Sequence, residues 1–237
     1  MKILVTGGSR GIGRACVERF ASSGHSVAFI YKNSFDAARE VCLTTGAHGI
    51  CADICDAQSA KIAVLAAISK LDGIDVLVNN AGISQIKLFT DISDDDWQTM
   101  LNTNLSSAFY ITREVAKYMV KQKNGRIINI GSMWGKIGAS CEVHYSASKA
   151  ALRGLTTSLA KELGPSGITV NCVEPGVIAT DMNASLSPEI INQLCDETPL
   201  CRIGTPENVA DLVEFLASDK ASFITGQVIG IDGGYAI

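Results

Sequence analysis

The chain has no basic excess: 20 Lys and Arg stand against 24 Asp and Glu, a net charge of −4. It therefore lacks the positive field that wraps nucleic acid or grips acidic lipid. Aromatic residues are sparse, at 6%. No apolar stretch approaches the ~20 residues that span a bilayer. Met1 and Lys2 lead straight into the short run ILVTGG, without the charged start and apolar segment of a secretory signal, so a cytoplasmic protein is expected. Repeats, low-complexity tracts and inter-domain linkers are also missing, and one domain over residues 1–237 is the simplest organisation. The cysteines (Cys16, Cys42, Cys51, Cys55, Cys141, Cys172, Cys195 and Cys201) are scattered through apolar runs and form no compact framework, which points to buried free thiols. Cys51 and Cys55 could begin a metal site, but no second His or Cys pair with ligand spacing stands near them, so no metal is expected. Small-molecule chemistry is the class that remains.

What is present is a regular alternation. A hydrophobic fraction of 47% and a charged fraction of 19% fit an ordinary globular enzyme. KILVT reads as a strand, and TGGSRGIG turns into a helix beginning at Ile12, with apolar positions at Ala15, Cys16, Val17 and Phe20. SVAFIYKN is the second strand, Phe35 to Thr45 a helix, AHGICA the third strand, and Asp56 the N-cap of the next helix. IDVLVNNAG is the fourth strand. Asp94 to Lys121 reads as one long helix, capped by Ser93 or Asp94 and interrupted by the polar NTN at 102–104. RIINIGS is the fifth strand, Val143 to Leu163 a helix, GITVNCVEPG the sixth strand, Asn208 to Leu216 a helix and GQVIGIDGG the last strand. Only residues 176–206 break the pattern, with one short helix at Pro188 to Cys195, and a long excursion at the ligand edge reads as a lid over about 177–206. The alternation predicts an α/β protein with a doubly wound parallel sheet of about seven strands, helices on both faces and a ligand at the strands' carboxyl ends.

Several groups at those ends invite chemistry. Gly7, Gly11 and Gly13 would let the first turn approach a pyrophosphate, whose charge a helix N-terminus favours. At the end of the second strand no carboxylate waits for a free ribose hydroxyl. Tyr31, Lys32 and Asn33 stand there, and with Arg10 two cations could reach a 2'-phosphate, which makes NADP(H) the expected cofactor over NAD(H); the alternative is that both are solvated surface charges. Asp53 either accepts from an adenine amino group or serves turn chemistry. Asn79, Asn80, Ala81 and Gly82 combine small residues against which a ring can lie with amides that fix a turn. Tyr145 and Lys149 are one helical turn apart on one face. Lys149 is expected to lower the pKa of the phenol, so that Tyr145 can protonate a carbonyl oxygen held by Ser132. Asn104, unusual inside a helix, either bends it and orients a water or side chain, or is an interface asparagine.

Taken together, TGGSRGIG, the NNAG at 79–82, Asn104, Ser132, the YxxxK at 145–149 and the PG followed by Thr180 resemble the short-chain dehydrogenase/reductase family over essentially the whole chain, which implies a Rossmann-like fold. By that resemblance Ser132, Tyr145 and Lys149 match the catalytic trio, and Asn104 its fourth member, which holds a water in a proton relay. Gly7, Ser9, Arg10, Ile12, Asp53, Ile54, Asn80 and Gly82 match cofactor positions. Lys149 would also bind the nicotinamide ribose, and the segment from Pro175 through Gly176 and Ile178 to Thr180 would hold the nicotinamide carboxamide. The segments KNGRIINIGS, GITVNCVEPGVIATDM, PLCRIGTPENVADLVEFLAS and ITGQVIGIDGG are most similar to bacterial 3-oxoacyl-acyl-carrier-protein reductases, which implies a 3-oxoacyl thioester substrate in fatty acid biosynthesis, acyl carrier protein as a possible partner and a homotetramer. Many reductases of small ketones, diketones, sugars and other secondary alcohols share these segments, and a nucleotide-binding regulatory protein without catalysis is a remoter alternative. Two departures stand out. Trp134 replaces a small aliphatic residue and could narrow the acyl tunnel, and Ser166 stands where an arginine often meets the acidic partner. Lys117, Lys121, Lys123 and Arg126 remain as a candidate basic patch. Trp134, Cys141 and His144 are expected to help Ser132 and Tyr145 choose the ketone.

Overall fold

The computed structural model describes residues 1–183 and 186–237. Its strands are β1 (Lys2–Thr6), β2 (Ser26–Tyr31), β3 (His48–Cys51), β4 (Val76–Asn79), β5 (Gly125–Ile130), β6 (Ile168–Pro175) and β7 (Val228–Ile231). They form one sheet in the spatial order β3-β2-β1-β4-β5-β6-β7, and every pairing is parallel. Chain order reverses between β1 and β4, and a crevice opens there at the strands' carboxyl ends.

The helices are α1 (Gly11–Ser22), α2 (Phe35–Thr45), α3 (Ala57–Leu71), α4 (Asp94–Leu101), α5 (Ser107–Gln122), α6 (Trp134–Ile137), α7 (Val143–Leu163), α8 (Pro188–Glu197) and α9 (Pro206–Ala217). Strand side chains alternate between two faces, and both faces are buried. In β1, Ile3 and Val5 join the core under α1, α2 and α9, beside Phe20, Val41 and Val213. Leu4 points the other way, into the core under α3, α5 and α7, with Val64, Ile111 and Leu163. Each such side chain contributes ~1.5–3 kcal/mol relative to exposure.

Several predicted boundaries move for local reasons. The predicted helix from Asp94 to Lys121 is two helices joined by a π turn at Asn102–Ser106. Ser93 is the cap: its hydroxyl accepts from Asp96 N, and the Asp96 carboxylate reaches back to Ser93 N at 2.9 Å. α9 starts two residues before the predicted Asn208, because Thr205 caps it and Pro206 fits the first turn. α8 runs two residues past the predicted Cys195. The eight cysteines are free, but only Cys16 and Cys172 are buried, while Cys51 and Cys201 are exposed, so the expectation of buried thiols fails for most of them. The predicted lid segment includes residues 184 and 185, which lie outside the described residues. No described helix is long and apolar enough to cross a membrane.

Candidate active site

The glycine turn is held by the strand beside it. Thr6 ends β1, and its Oγ1 accepts the backbone N–H groups of Asn80 at 2.9 Å and Ala81 at 3.0 Å. In return Asn80 Nδ2 donates to the carbonyls of Thr6 (3.0 Å) and Gly7 (3.2 Å). The Asn80 amide therefore braces the glycine loop, in keeping with the expectation that amides at 79–82 fix a turn, and Thr6 is a residue the sequence reading missed. Gly7 sits at φ +68°, and a Cβ on Gly13 would lie 2.1 Å from the Gly7 carbonyl oxygen. Side chains at these positions would fill the cradle. Arg10, the N-cap of α1, makes no side-chain capping bond, so the first N–H groups of α1 are left for a ligand. Ser9 is buried, while Ile12 and Gly82 line the crevice and Gly11 faces Thr180 across it. The residues present fit a dinucleotide's phosphates.

At the adenosine end the structure redistributes the predicted charges. Lys32 Nζ pairs with Asp53 at 2.6 Å, which raises the lysine pKa and lowers that of the carboxylate, chiefly through that hydrogen bond. Asp53 also accepts from Cys55 N at 3.1 Å, an Asx-type turn. Lys32 is thus already engaged, whereas Arg10 is exposed. Tyr31 meets Phe35 edge-on at 5.7 Å, Asn33 is exposed, and Ile54 is buried in the α3-side core.

The opposite wall carries Ser132, just past β5, with Tyr145 and Lys149 on α7. All three line one solvent-open cleft with Asn80, Gly82, Trp134, Pro175, Gly176, Ile178 and Thr180. Ser132 Oγ accepts from Trp134 N at 3.2 Å. Lys149 Nζ donates to the Ile130 carbonyl at 2.9 Å and lies 5.7 Å from the centre of the Tyr145 ring. Burial pushes the Tyr145 phenol up to about 12; hydrogen bonding to Ser132 opposes this and the Glu142 charge adds to it. Burial pulls the Lys149 ammonium down to about 8. The phenol is thus raised where a lowering by Lys149 was expected, because desolvation dominates at both groups.

Asn104 lies in the π turn and is 1% exposed. Its Oδ1 accepts from Ile83 N at 2.8 Å, and its Nδ2 donates to Ile83 O at 2.9 Å and to Ser148 Oγ at 3.0 Å. Ser148 Oγ in turn donates to the Tyr145 carbonyl at 2.7 Å. Its side chain clamps the segment after β4 to the turn of α7 that carries the phenol. The side-chain amide is committed to these protein partners.

The expected substrate residues divide. Trp134 lines the cleft and packs edge-on against Tyr235 at 5.8 Å. His144 is fully buried, and its Nε2 meets Gln85 Oε1 at 2.9 Å, away from the cleft lining. Cys141, at φ +61°, is likewise outside that lining. Glu142, Ser84, Met182 and Asn183 line it instead, and none was singled out from the sequence. The basic patch falls at the wrong edge: α5 ends at Gln122 and β5 begins at Gly125, the far end of the sheet from Ser132, with Ser166 just ahead of β6 on the same edge. There Lys117 pairs with Glu114 and Arg126 with Asp219. Among the described residues no three His, Cys, Asp or Glu side chains gather as a metal site.

Residues 7–236 match the family profile described as Enoyl-(Acyl carrier protein) reductase. The chain is 45% identical over 236 residues to a 3-oxoacyl-acyl-carrier-protein reductase of Aquifex aeolicus, covering 98% of this chain and 95% of that one. It is 44% identical to the Synechocystis protein of the same name, again covering 98% and 95%. Among solved structures, a Serratia marcescens short-chain dehydrogenase/reductase mutant superposes with a TM-score of 0.92 at 40% identity, covering 99% of this chain and 97% of that chain. Sequence profile, relatives and fold agree, and the chain belongs to the short-chain dehydrogenase/reductase family.

Proposed function

We propose that this protein reduces a ketone to an alcohol with NADPH, and that the ketone is a 3-oxoacyl thioester of the kind named for its relatives. The observation that carries the reading is one cleft with two dissimilar walls: a glycine cradle at the head of α1, and Ser132, Tyr145 and Lys149 opposite it. A bound nicotinamide cofactor supplies the hydride; the protein supplies position, a proton and electrostatics. Gly7, Gly11, Gly13 and the first N–H groups of α1 hold its phosphates, and Arg10, with Lys32 released from or shared with Asp53, meets the 2'-phosphate. The segment Pro175–Thr180 and Lys149 hold the nicotinamide half. Ser132 fixes the carbonyl oxygen, and Tyr145, protonated at neutral pH, donates its phenolic proton to that oxygen. Asn104 is a positioning residue.

The profile's description names enoyl reduction, whereas the relatives are named for ketone reduction. A hydroxyl and a phenol in one cleft suit charge developing on a carbonyl oxygen, which favours the latter. Residues 177–206 act as a lid over a substrate-binding edge of one domain. The chain is proposed to work in the cytoplasm and to assemble as a homotetramer, since Phe109, Phe215 and Phe223 stay exposed on the protomer. Initial rates with acetoacetyl thioester, crotonyl thioester and free ketones, each with NADPH or NADH, test the proposal. Acetoacetyl thioester with NADPH is expected to be fastest, and replacing Arg10 and Lys32 by neutral residues is expected to raise KM for NADPH alone. Turnover of crotonyl but not acetoacetyl thioester overturns the ketone assignment, and equal losses with both cofactors overturn the phosphate assignment.

A further inference from the structure

One charged group in the cleft has no task in ketone reduction. Glu142 precedes α7 as its N-cap, yet its side chain makes no capping bond and takes part in no hydrogen bond or ion pair among the described residues. It is partly buried and lines the cleft beside Tyr145, Trp134 and Met182. Burial alone raises its carboxyl, with no cation offsetting the effect, and its charge reaches far enough to raise Tyr145. The cleft lining holds one other charged side chain, Lys149, which is buried and bonded to the Ile130 carbonyl. A carboxylate thus stands in the wall of a solvent-open cleft with no protein partner among the described residues, where it is available to a ligand.

We propose that Glu142 binds a cationic group of the substrate, and that the cleft accepts a ketone carrying an ammonium a few methylenes from its carbonyl. This rests on the reading that Ser132 and Tyr145 reduce a ketone. Glu142 holds the N-cap position of α7, three residues before Tyr145, and both side chains line the same cleft. With the carbonyl at the phenol, a short methylene spacer would carry the ammonium along the cleft wall to the carboxylate. Trp134 and Met182 supply apolar walls for that spacer, and the protonated amine forms a charge-assisted hydrogen bond. A simple acyl thioester brings no cation to this wall and leaves Glu142 unpaired.

The test compares a ketone bearing a protonated dimethylamino group three methylenes from its carbonyl with its neutral isopropyl isostere, using full-length protein and NADPH. Wild type is expected to favour the charged ketone by about tenfold or more in kcat/KM. That ratio is expected to collapse toward one in Glu142→Gln and to recover in part in Glu142→Asp. A wild-type ratio near one overturns the inference whatever the variants do, as does a ratio that survives Glu142→Gln. If acetoacetyl thioester is reduced and neither isostere is, the inference fails while ketone reduction stands. If none of the three is reduced, the reductase reading itself fails and takes the inference with it.

Discussion

Tyr145 and Lys149 set the working pH of the site through burial. The phenol, pushed up to about 12, is protonated across the physiological range and available as an acid. The ammonium, drawn down to about 8, loses its proton just above neutrality. Reduction that needs both Tyr145–OH and charged Lys149 is therefore full below about pH 8 and declines above it, because deprotonation removes the cation that favours proton transfer from the phenol. The free-enzyme profile of kcat/KM for a ketone should show this limb, and a rate that stays level to roughly pH 10 contradicts it. The residue types of this chemistry are legible in the sequence, since spacing alone puts Tyr145 and Lys149 on one face. The direction of the phenol's shift is not, because desolvation depends on what distant segments pack over it. Glu142 had a usable signal in its place at the start of α7, three residues before Tyr145, whereas His144, ~100° around the helix from Tyr145, turns toward Gln85.

At the scale of elements, the π turn between α4 and α5 sets the catalytic helix in place. It delivers the Asn104 amide between Ile83 and Ser148, so the end of β4 and the Tyr145 turn of α7 move together. Asn104→Ala would leave the main-chain groups of Ile83 without their partner. The loss should be about 2 kcal/mol, or ~4–8 °C in Tm for a chain of this size, with a fall in kcat larger than any change in KM. A thermal melt and steady-state kinetics check this, and an unchanged Tm with full activity shows the clamp to be dispensable. The sequence marks Asn104 as unusual but not as a clamp, since its partners lie 21 and 44 residues away. Thr6 escaped notice for the same reason. A threonine closing a strand is ordinary until β4 is laid beside it and two N–H groups converge on its hydroxyl.

Across the whole molecule, strand and helix alternate so regularly that the parallel sheet and its ligand edge follow from pattern alone. Buried strands read as continuous apolar runs, and parallel neighbours require crossovers. What the pattern does not carry is which surface features share an end of the sheet. Lys117, Lys121, Lys123 and Arg126 look like a docking patch in sequence, but they cluster where β5 begins, ~3.3 Å per residue away from the cleft into which it leads. In the proposed mechanism Tyr145 gives a proton to a ketone held by Ser132, across the cleft from the glycine cradle that holds the cofactor's phosphates. The most direct test is the initial rate of NADPH consumption with acetoacetyl thioester by wild type and Tyr145→Phe, alongside a titration of cofactor binding. Removing the hydroxyl should lower kcat by at least ~10²-fold while NADPH still binds; turnover within about tenfold of wild type would contradict Tyr145 as the acid.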